Sequence, residues 1–342
     1  MVTKPTVLIL GAGASINYGF PSGLQLKAEI CKEIKLRNEI FDDLVLSTDE
    51  DHVEDFYNNL LLSSEFSIDA FLEHNQKYFE IGRRAITNVL IRKEKHAELF
   101  EKWIDKWLDP ENKDKHWYQL LFSKLNAPFD DFSKNDLKII TFNYDRSLEY
   151  FLWESMKAKY SEQDKKSILE KLSGIPILHV YGKLGSLPEY DSDSSCIPYD
   201  LFRSVQATEE RWWRKYIFEA SQKIFTVHQA QEMSDVITKA QTFLCHANRI
   251  YFLGFGYDNI NMERLFMKYG KNLLREGGLG DKCWGTAMRI SPHQKLYLGN
   301  FGLSHMKDDY INEERGNTHR SFSFPDSTIY DFLYYNPFSK LD

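Results

Sequence analysis

The sequence predicts an α/β protein: a doubly wound, mostly parallel, Rossmann-like sheet with a large helical insertion. Three observations predict it. Short continuous apolar runs recur along the 342 residues, several of them end in glycine or a polar residue, and helical periodicity fills the stretches between them. Runs of that kind belong to strands covered on both faces, whereas strands with one wet face alternate. Buried strands separated by helices are the pattern of a parallel sheet wrapped on both sides.

Thr6 to Leu10 (TVLIL) is the first expected strand, and it ends in Gly11-Ala12-Gly13. Leu24 to Ile34 then has helical period. Further strands are expected at residues 137–142 (LKIITF), 175–180 (IPILHV) and 249–254 (RIYFLG), with 285–291 (GTAMRIS) a weaker fifth. A parallel crossover needs only a dozen or more residues, yet about 125 separate the first strand from the second. Something is inserted. From Asp51 to Phe129 apolar residues recur at i, i+3 and i+4, as in Leu99, Phe100, Trp103, Ile104, Trp107 and Leu108. The expected organisation is one α/β domain from residues 1–50 and 130–342 and a helical insertion subdomain over 51–129. Residues 185–196 read as a polar loop, 211–227 as a helix containing Trp212 and Trp213, and 327–335 as a helix aromatic enough to dock.

Composition narrows the class. The chain is 42% hydrophobic and 27% charged, and no apolar run approaches the ~18 residues of a membrane helix. A transmembrane protein is excluded. The N-terminal apolar stretch is too short and glycine-rich for a secretory segment, so a cytoplasmic protein is expected. Four dispersed cysteines, Cys31, Cys196, Cys245 and Cys283, form no CxxC pair, which argues against a disulfide framework or a zinc ribbon. A net charge of −7 argues against a chain-wide nucleic-acid footprint, and no sequence-specific nucleic-acid binding is expected.

The chemistry-bearing residues cluster at expected strand ends, where parallel sheets bind ligands. Gly11-Ala12-Gly13-Ala14-Ser15, followed by Gly19, Pro21 and Gly23, permits close backbone approach and suits an anion such as a diphosphate. A plain tight turn is the alternative, because a strict GxGxxG would need glycine at Ile16 and no second strand ends in an acid ~20 residues on. Asn143 and Asp145 end the second strand; Asp145 also suits an N-cap for a helix from Arg146, which leaves Asn143 unexplained. His179 ends the third strand and is either a site residue or a satisfied core histidine. Gly254 and Gly256 end the fourth. Asp130 and Asp131 are adjacent in a loop and would point apart, and His293 and His305 follow no expected strand end.

Taken together, GAGAS with Gly19-Phe20-Pro21, TFNYD at 141–145, His179 with Gly182 three residues on, and LGFG at 253–256 resemble the sirtuin catalytic core. That core has a GAGxS loop, a TQNID segment, a His-Gly and a GTS-type turn at the corresponding places. Sirtuin deacylases carry a zinc module with two CxxC pairs, absent here, and their Asp-Phe-Arg stands as Ser22-Gly23-Leu24. With the helical insertion, these departures look like the sirtuin-like NAD hydrolases of bacterial antiphage defence. The resemblance implies NAD as substrate, no metal, and cleavage to nicotinamide and ADP-ribose. It implies that Asn143 orients a water or the ribose hydroxyls, that His179 takes a proton, and that Asp145 binds the carboxamide. Gly11, Ala12, Gly13 and Ser15 would hold phosphate, Pro21 would line the site, Gly254 and Gly256 would line the ribose and phosphate channel, and Ser291 would meet the adenosine ribose. It further implies a homo-oligomer, or a sensor partner such as a HerA-type ATPase or an Argonaute. Other readings are a nucleotide sensor without turnover, an ADP-ribosyl transferase or cyclase using the same residues, and an assembly subunit built on the aromatic helices.

Overall fold

The computed structural model describes residues 1–109, 115–191, 196–205, 211–225, 230–286, 297–298, 301, 303 and 328–335. Seven strands are formed among them: β1 (Thr6–Leu10), β2 (Leu137–Thr141), β3 (Ile177–His179), β4 (Arg249–Leu253), β5 (Met267–Lys268), β6 (Lys271–Asn272) and β7 (Cys283–Gly285). The main sheet has the order β3-β2-β1-β4-β7, and every pairing in it is parallel. β5 and β6 make a separate two-stranded hairpin. From β1 the chain builds outward through β2 to β3, then returns across the sheet to β4 and β7. The connections from β1 and β4 thus diverge, and that divergence opens a crevice at their carboxyl ends.

Helices cover both faces. The first half of the chain contributes α1 (Gly23–Lys35), α2 (Glu39–Ser47), α3 (Glu50–Leu62), α4 (Ile68–His74), α5 (Phe79–Ile91), α6 (His96–Leu99), α7 (Lys102–Leu108) and α8 (Trp117–Lys124). After β2 come α9 (Ser147–Lys159), α10 (Lys165–Leu172), α11 (Leu201–Ser204), α12 (Trp213–Ser221), α13 (Ala230–His246) and α14 (Asn259–Phe266), with a last helix at Ile329–Tyr335. Strand side chains alternate between two cores. Leu8, Leu10, Leu137, Ile139, Tyr251 and Leu253 pack with α1, α5, α8 and α9. Val7, Ile9, Ile140, Ile250 and Phe252 pack with α13 and α14. Among the described residues helices cover both faces of the sheet, which is why its central strands read as unbroken apolar runs.

The insertion does not stand apart from the sheet. Val53, Phe56, Leu60, Ile86, Trp103 and Trp117 belong to the same contiguous core as Leu8 and Leu137. Of the tryptophans in the helical stretches between β1 and β2 and at α12, Trp107 is exposed and Trp212 half-buried, while Trp103, Trp117 and Trp213 are buried. Trp117 Nε1 donates to Ala14 O at 2.8 Å, so one insertion helix rests directly on the glycine loop. Exposed apolar side chains remain on α7 at Ile104, Trp107 and Leu108.

Element boundaries differ from expectation in three informative places. The fifth strand is Cys283–Gly285, paired with Ile250 to Phe252, so it ends where residues 285–291 were expected to begin one. The helix expected over 211–227 is confined to Trp213–Ser221. The helix after β2 begins at Ser147 rather than Arg146, and Asp145 reaches it from one position further out, accepting the Ser147 amide at 3.1 Å. Among the described residues no helix is long and apolar enough to cross a membrane.

Candidate functional site

The crevice is closed at its base by two turns in direct backbone contact. Gly11 N–H donates to Leu253 O at 3.2 Å and Gly13 N–H to Gly254 O at 3.0 Å. A Cβ on Gly11 would lie 2.6 Å from Gly254 O, and one on Gly13 would lie 2.8 Å from Gly254 Cα. Gly254 has φ +58° and donates its N–H to Thr286 Oγ1 at 2.9 Å. Close packing therefore accounts for all three glycines before any ligand is considered. Gly256 is different, because a Cβ there would meet none of the described residues within 4 Å.

The glycine loop does not run straight into a helix. It continues through two 3-10 turns, Ala12–Ala14 and Ile16–Tyr18. α1 starts only at Gly23, behind a capping box in which the Ser22 and Gln25 side chains accept each other's backbone N–H. Within the loop, Ala14 N–H donates to Gly11 O at 2.9 Å and Ser15 N–H to Ala12 O at 3.1 Å. Of the amides from Gly11 to Ser15, that of Ala12 is the one that donates to none of the described residues. The anion-facing helix start expected from the sequence is thus replaced by a single loop amide.

Above this base, a hydrogen-bonded chain links the ends of β1 and β2. Asn143 Nδ2 donates to Gly11 O at 3.0 Å and to Ser15 Oγ at 3.1 Å. Ser15 Oγ donates in turn to Asp145 Oδ2 at 2.9 Å. Asp145 Oδ1 accepts both the amide and the hydroxyl of Ser147. Because the Asn143 amide nitrogen is engaged twice, Oδ1 is the atom Asn143 can offer to a ligand. Burial pushes the Asp145 carboxyl up, while hydrogen bonds from Ser147 and Ser15 oppose the rise.

His179 lies on the far side of Asn143 and is buried. Its Nδ1 is 2.8 Å from Asn143 O, and its Nε2 is 2.7 Å from Glu149 Oε1. Lys183 Nζ approaches the same carboxylate oxygen at 3.4 Å. Two acceptors face the two ring nitrogens, so both hydrogen bonds form together in the doubly protonated ring. Burial alone would raise the Glu149 carboxyl, but His179 and Lys183 beside it bring it down to about 2.

That shift has a measurable sign. A carboxyl lowered from its ordinary 4.5 to about 2 contributes stability that is fully present above pH 4.5 and is lost as pH falls toward 2. Denaturant unfolding of the wild type should weaken across that window by an amount on the order of a few kcal/mol. Glu149→Gln should lack that portion of the slope. Parallel stability curves for the two proteins between pH 6 and pH 3, to within about 0.5 kcal/mol, would show that the Glu149 pairing has no such role.

A cavity of about 70 Å³ opens where these elements meet, lined by Ala12, Ser15, Pro21, Asn143 and Asp145 together with Phe20, Leu26, Leu90 and Phe142. It therefore gathers five residues that the sequence singled out. His179 lines a smaller cleft behind it, shared with Ser15, Asn143 and Asp145. Gly11, Gly13 and Gly254 form the backbone contact below, Gly256 lies beyond the turn, and Ser291, His293 and His305 lie outside the described residues. A larger cavity, about 470 Å³, opens between α9, α10 and the Lys183 to Tyr190 segment, and Glu149 lies on its wall.

Three participants were not anticipated. Glu149 stands in the first turn of α9, four residues after Asp145, and that spacing from the strand end was the available signal. Lys183 stands four residues after the end of β3. Asp69 comes from α4 in the insertion, lines the 70 Å³ cavity, and accepts a hydrogen bond from Tyr144 Oη at 2.5 Å. Nothing in its local sequence distinguishes it from an ordinary acid in a helix first turn. Among the described residues no group of three or more His, Cys, Asp or Glu side chains is placed to hold a metal ion. The chain matches no model of a known protein family and no curated protein.

Proposed function

We propose that this chain is a sirtuin-like NAD hydrolase that cleaves NAD to nicotinamide and ADP-ribose and acts as the toxic effector of an antiphage defence system. The observation that carries the reading is the hydrogen-bonded chain Asn143–Ser15–Asp145 at one wall of a mostly apolar cavity at the carboxyl ends of β1 and β2. Such a cavity suits a flat ring with an amide on it. Phe20, Pro21, Leu26 and Phe142 sandwich the nicotinamide, and Asp145 takes its carboxamide. The Ala12 amide lies along the path of the diphosphate, with Ser15 at its start, and Gly256 lines it further on. Ser291 is kept as a contact of the adenosine ribose.

Chemically the demand on the site is modest, because the pyridinium is an activated leaving group. The bond from the ribose anomeric carbon to the ring nitrogen breaks, its electron pair neutralises the ring, and the ribose passes through an oxocarbenium-like state. Asn143 Oδ1 orients a water onto that carbon. As the new C–O bond forms, the water's proton passes to His179. The ring works for this step in its neutral form, with Nε2–H held by Glu149 and Nδ1 turned from the Asn143 carbonyl to the water; Glu149 then stabilises the imidazolium. Restraint of such an activity until infection requires only a small difference between two states, set by self-assembly or by a partner such as a HerA-type ATPase or an Argonaute. The exposed apolar side chains of α7 offer surface for assembly.

The test is to incubate the purified chain with NAD, alone and with candidate partners, and to follow products by chromatography. Equal amounts of nicotinamide and ADP-ribose are expected. Stoichiometric NAD binding without nicotinamide release under every condition would favour a nucleotide sensor, and nicotinamide release with a cyclic or protein-bound product would favour a cyclase or transferase.

A further inference from the structure

We infer that Asp69, supplied by the helical insertion, is a specificity residue of the nicotinamide pocket and selects a ring carrying a carboxamide over one carrying a carboxylate. This rests on the dinucleotide reading above and adds a residue and a discrimination to it.

Asp69 occupies the first turn of α4, whose N-cap is Ser67. An acid there favours the helix start by itself, and if that were its whole role its carboxylate would sit in water. Instead the side chain is half-buried, lines the cavity alongside Asp145, and gives Oδ1 to the Tyr144 hydroxyl. Among the described residues Oδ2 takes no hydrogen bond from another side chain. α4 is also fixed across the crevice at its other end, where Arg264 Nη2 donates to Glu73 Oε1 at 3.0 Å and Arg264 Nη1 donates to Tyr181 Oη. Asp69 is thus presented on a helix tied to both sides of the switch point.

A primary carboxamide offers two N–H donors and one acceptor. Two carboxyls around one small cavity match that set when Asp69 is ionised and accepts an N–H through Oδ2 while Asp145 is protonated and donates to the carbonyl. Burial raises both carboxyls, opposed at Asp69 by the Tyr144 hydroxyl and at Asp145 by hydrogen bonds from Ser147 and Ser15. A carboxylate on the ring would bring a third anion to the same cavity and offers no donor. Sites built to hydrogen-bond a group reject the analogue lacking it strongly, because their own buried polar atoms are left unpaired.

The experiment is calorimetric titration of the full chain with nicotinamide, nicotinic acid and ADP-ribose. Wild type should bind nicotinamide at least ~10-fold more tightly than nicotinic acid. In Asp69→Asn, the Tyr144 hydroxyl claims the amide oxygen and turns the NH₂ toward the ligand's own NH₂. Nicotinamide affinity should then fall by ~10-fold or more while ADP-ribose affinity stays within about twofold. Nicotinamide affinity unchanged in folded Asp69→Asn overturns the inference, even where ADP-ribose still binds and the dinucleotide reading stands. Wild type that binds no ADP-ribose brings down the dinucleotide reading as well. Should Asp69→Asn fail to fold, Tyr144→Phe decides the matter: it releases Oδ1 without altering the acid, and a loss of nicotinamide affinity that spares ADP-ribose supports the role, whereas no change overturns it.

Discussion

Gly254→Ala should be among the most damaging single substitutions in this chain, costing about 4–5 kcal/mol or more and preventing accumulation of folded protein. Two effects add. The backbone at Gly254 has φ +58°, where an L side chain is strained by about 1–2 kcal/mol. The added Cβ would also lie 2.8 Å from Gly13 Cα and closer still to Gly13 C and Ala14 N. Those atoms are backbone, fixed by the Gly11 and Gly13 hydrogen bonds to the β4 turn and by Trp117 on Ala14 O. Relief requires the β1 and β4 ends to part, which would break the base of the crevice. Gly256→Ala, two residues on, places a Cβ with none of the described residues within 4 Å and should change stability by no more than about 0.5 kcal/mol. Thermal and denaturant unfolding of the two variants side by side tests the account. A Gly254→Ala protein as stable as Gly256→Ala would show that the two turns are not locked together.

His179→Ala and Asn143→Ala should each lower NAD turnover by ~10² to 10⁴ with the fold retained. For His179 the loss has two possible origins: a missing proton acceptor, or a slackened Asn143 main chain, since Nδ1 reaches Asn143 O at 2.8 Å. The pH profile of kcat/KM separates them. When Glu149 backs a proton acceptor, Glu149→Gln should lower kcat/KM and change the shape of that profile. A purely positional histidine leaves the profile shape unchanged in Glu149→Gln. For Asn143 the comparison is Asn143→Asp, which keeps an oxygen at the position but cannot donate to Gly11 O and Ser15 Oγ together. Near-wild-type turnover in soluble His179→Ala or Asn143→Ala would remove that residue from the mechanism.

The sheet was legible because its strands are apolar on both sides and stop at glycine or a polar residue. Thr6 to Leu10 and Arg249 to Leu253 were readable nearly to the residue for that reason. Cys283 to Gly285 was misplaced because a three-residue edge strand carries too little pattern, and the apolar residues after it drew the reading downstream. The carboxyl-end residues were legible as a set, since Asn143, Asp145 and His179 each follow an apolar run. What they touch was not. Hydrogen bonds such as Ser15 to Asp145 and His179 to Glu149 join residues 130 and 30 positions apart, and no local period encodes them. Asp69 was hidden most completely, because in DAFLEH it satisfies every local rule for a helix first turn. Tryptophan content likewise says nothing of burial by itself: Trp103 and Trp117 are core residues, while Trp107 on the same stretch of chain is exposed.

The manner in which residues 51–129 join the sheet bears on how this chain can be altered by recombination. Arg146, directly after the TFNYD segment, is fully buried. Its guanidinium and its backbone amide both turn to the carboxylate of Glu94, which belongs to the insertion, and Nη1 is completed by Ile197 O at 2.6 Å. Removing one partner of such a pair leaves a bare charge in a dry interior. A fragment exchange that replaced the helices would therefore have to carry an acid to the position of Glu94, or change Arg146 in the same event. The helical segment is less a cassette than half of a lock, inherited together with the strand end it fits.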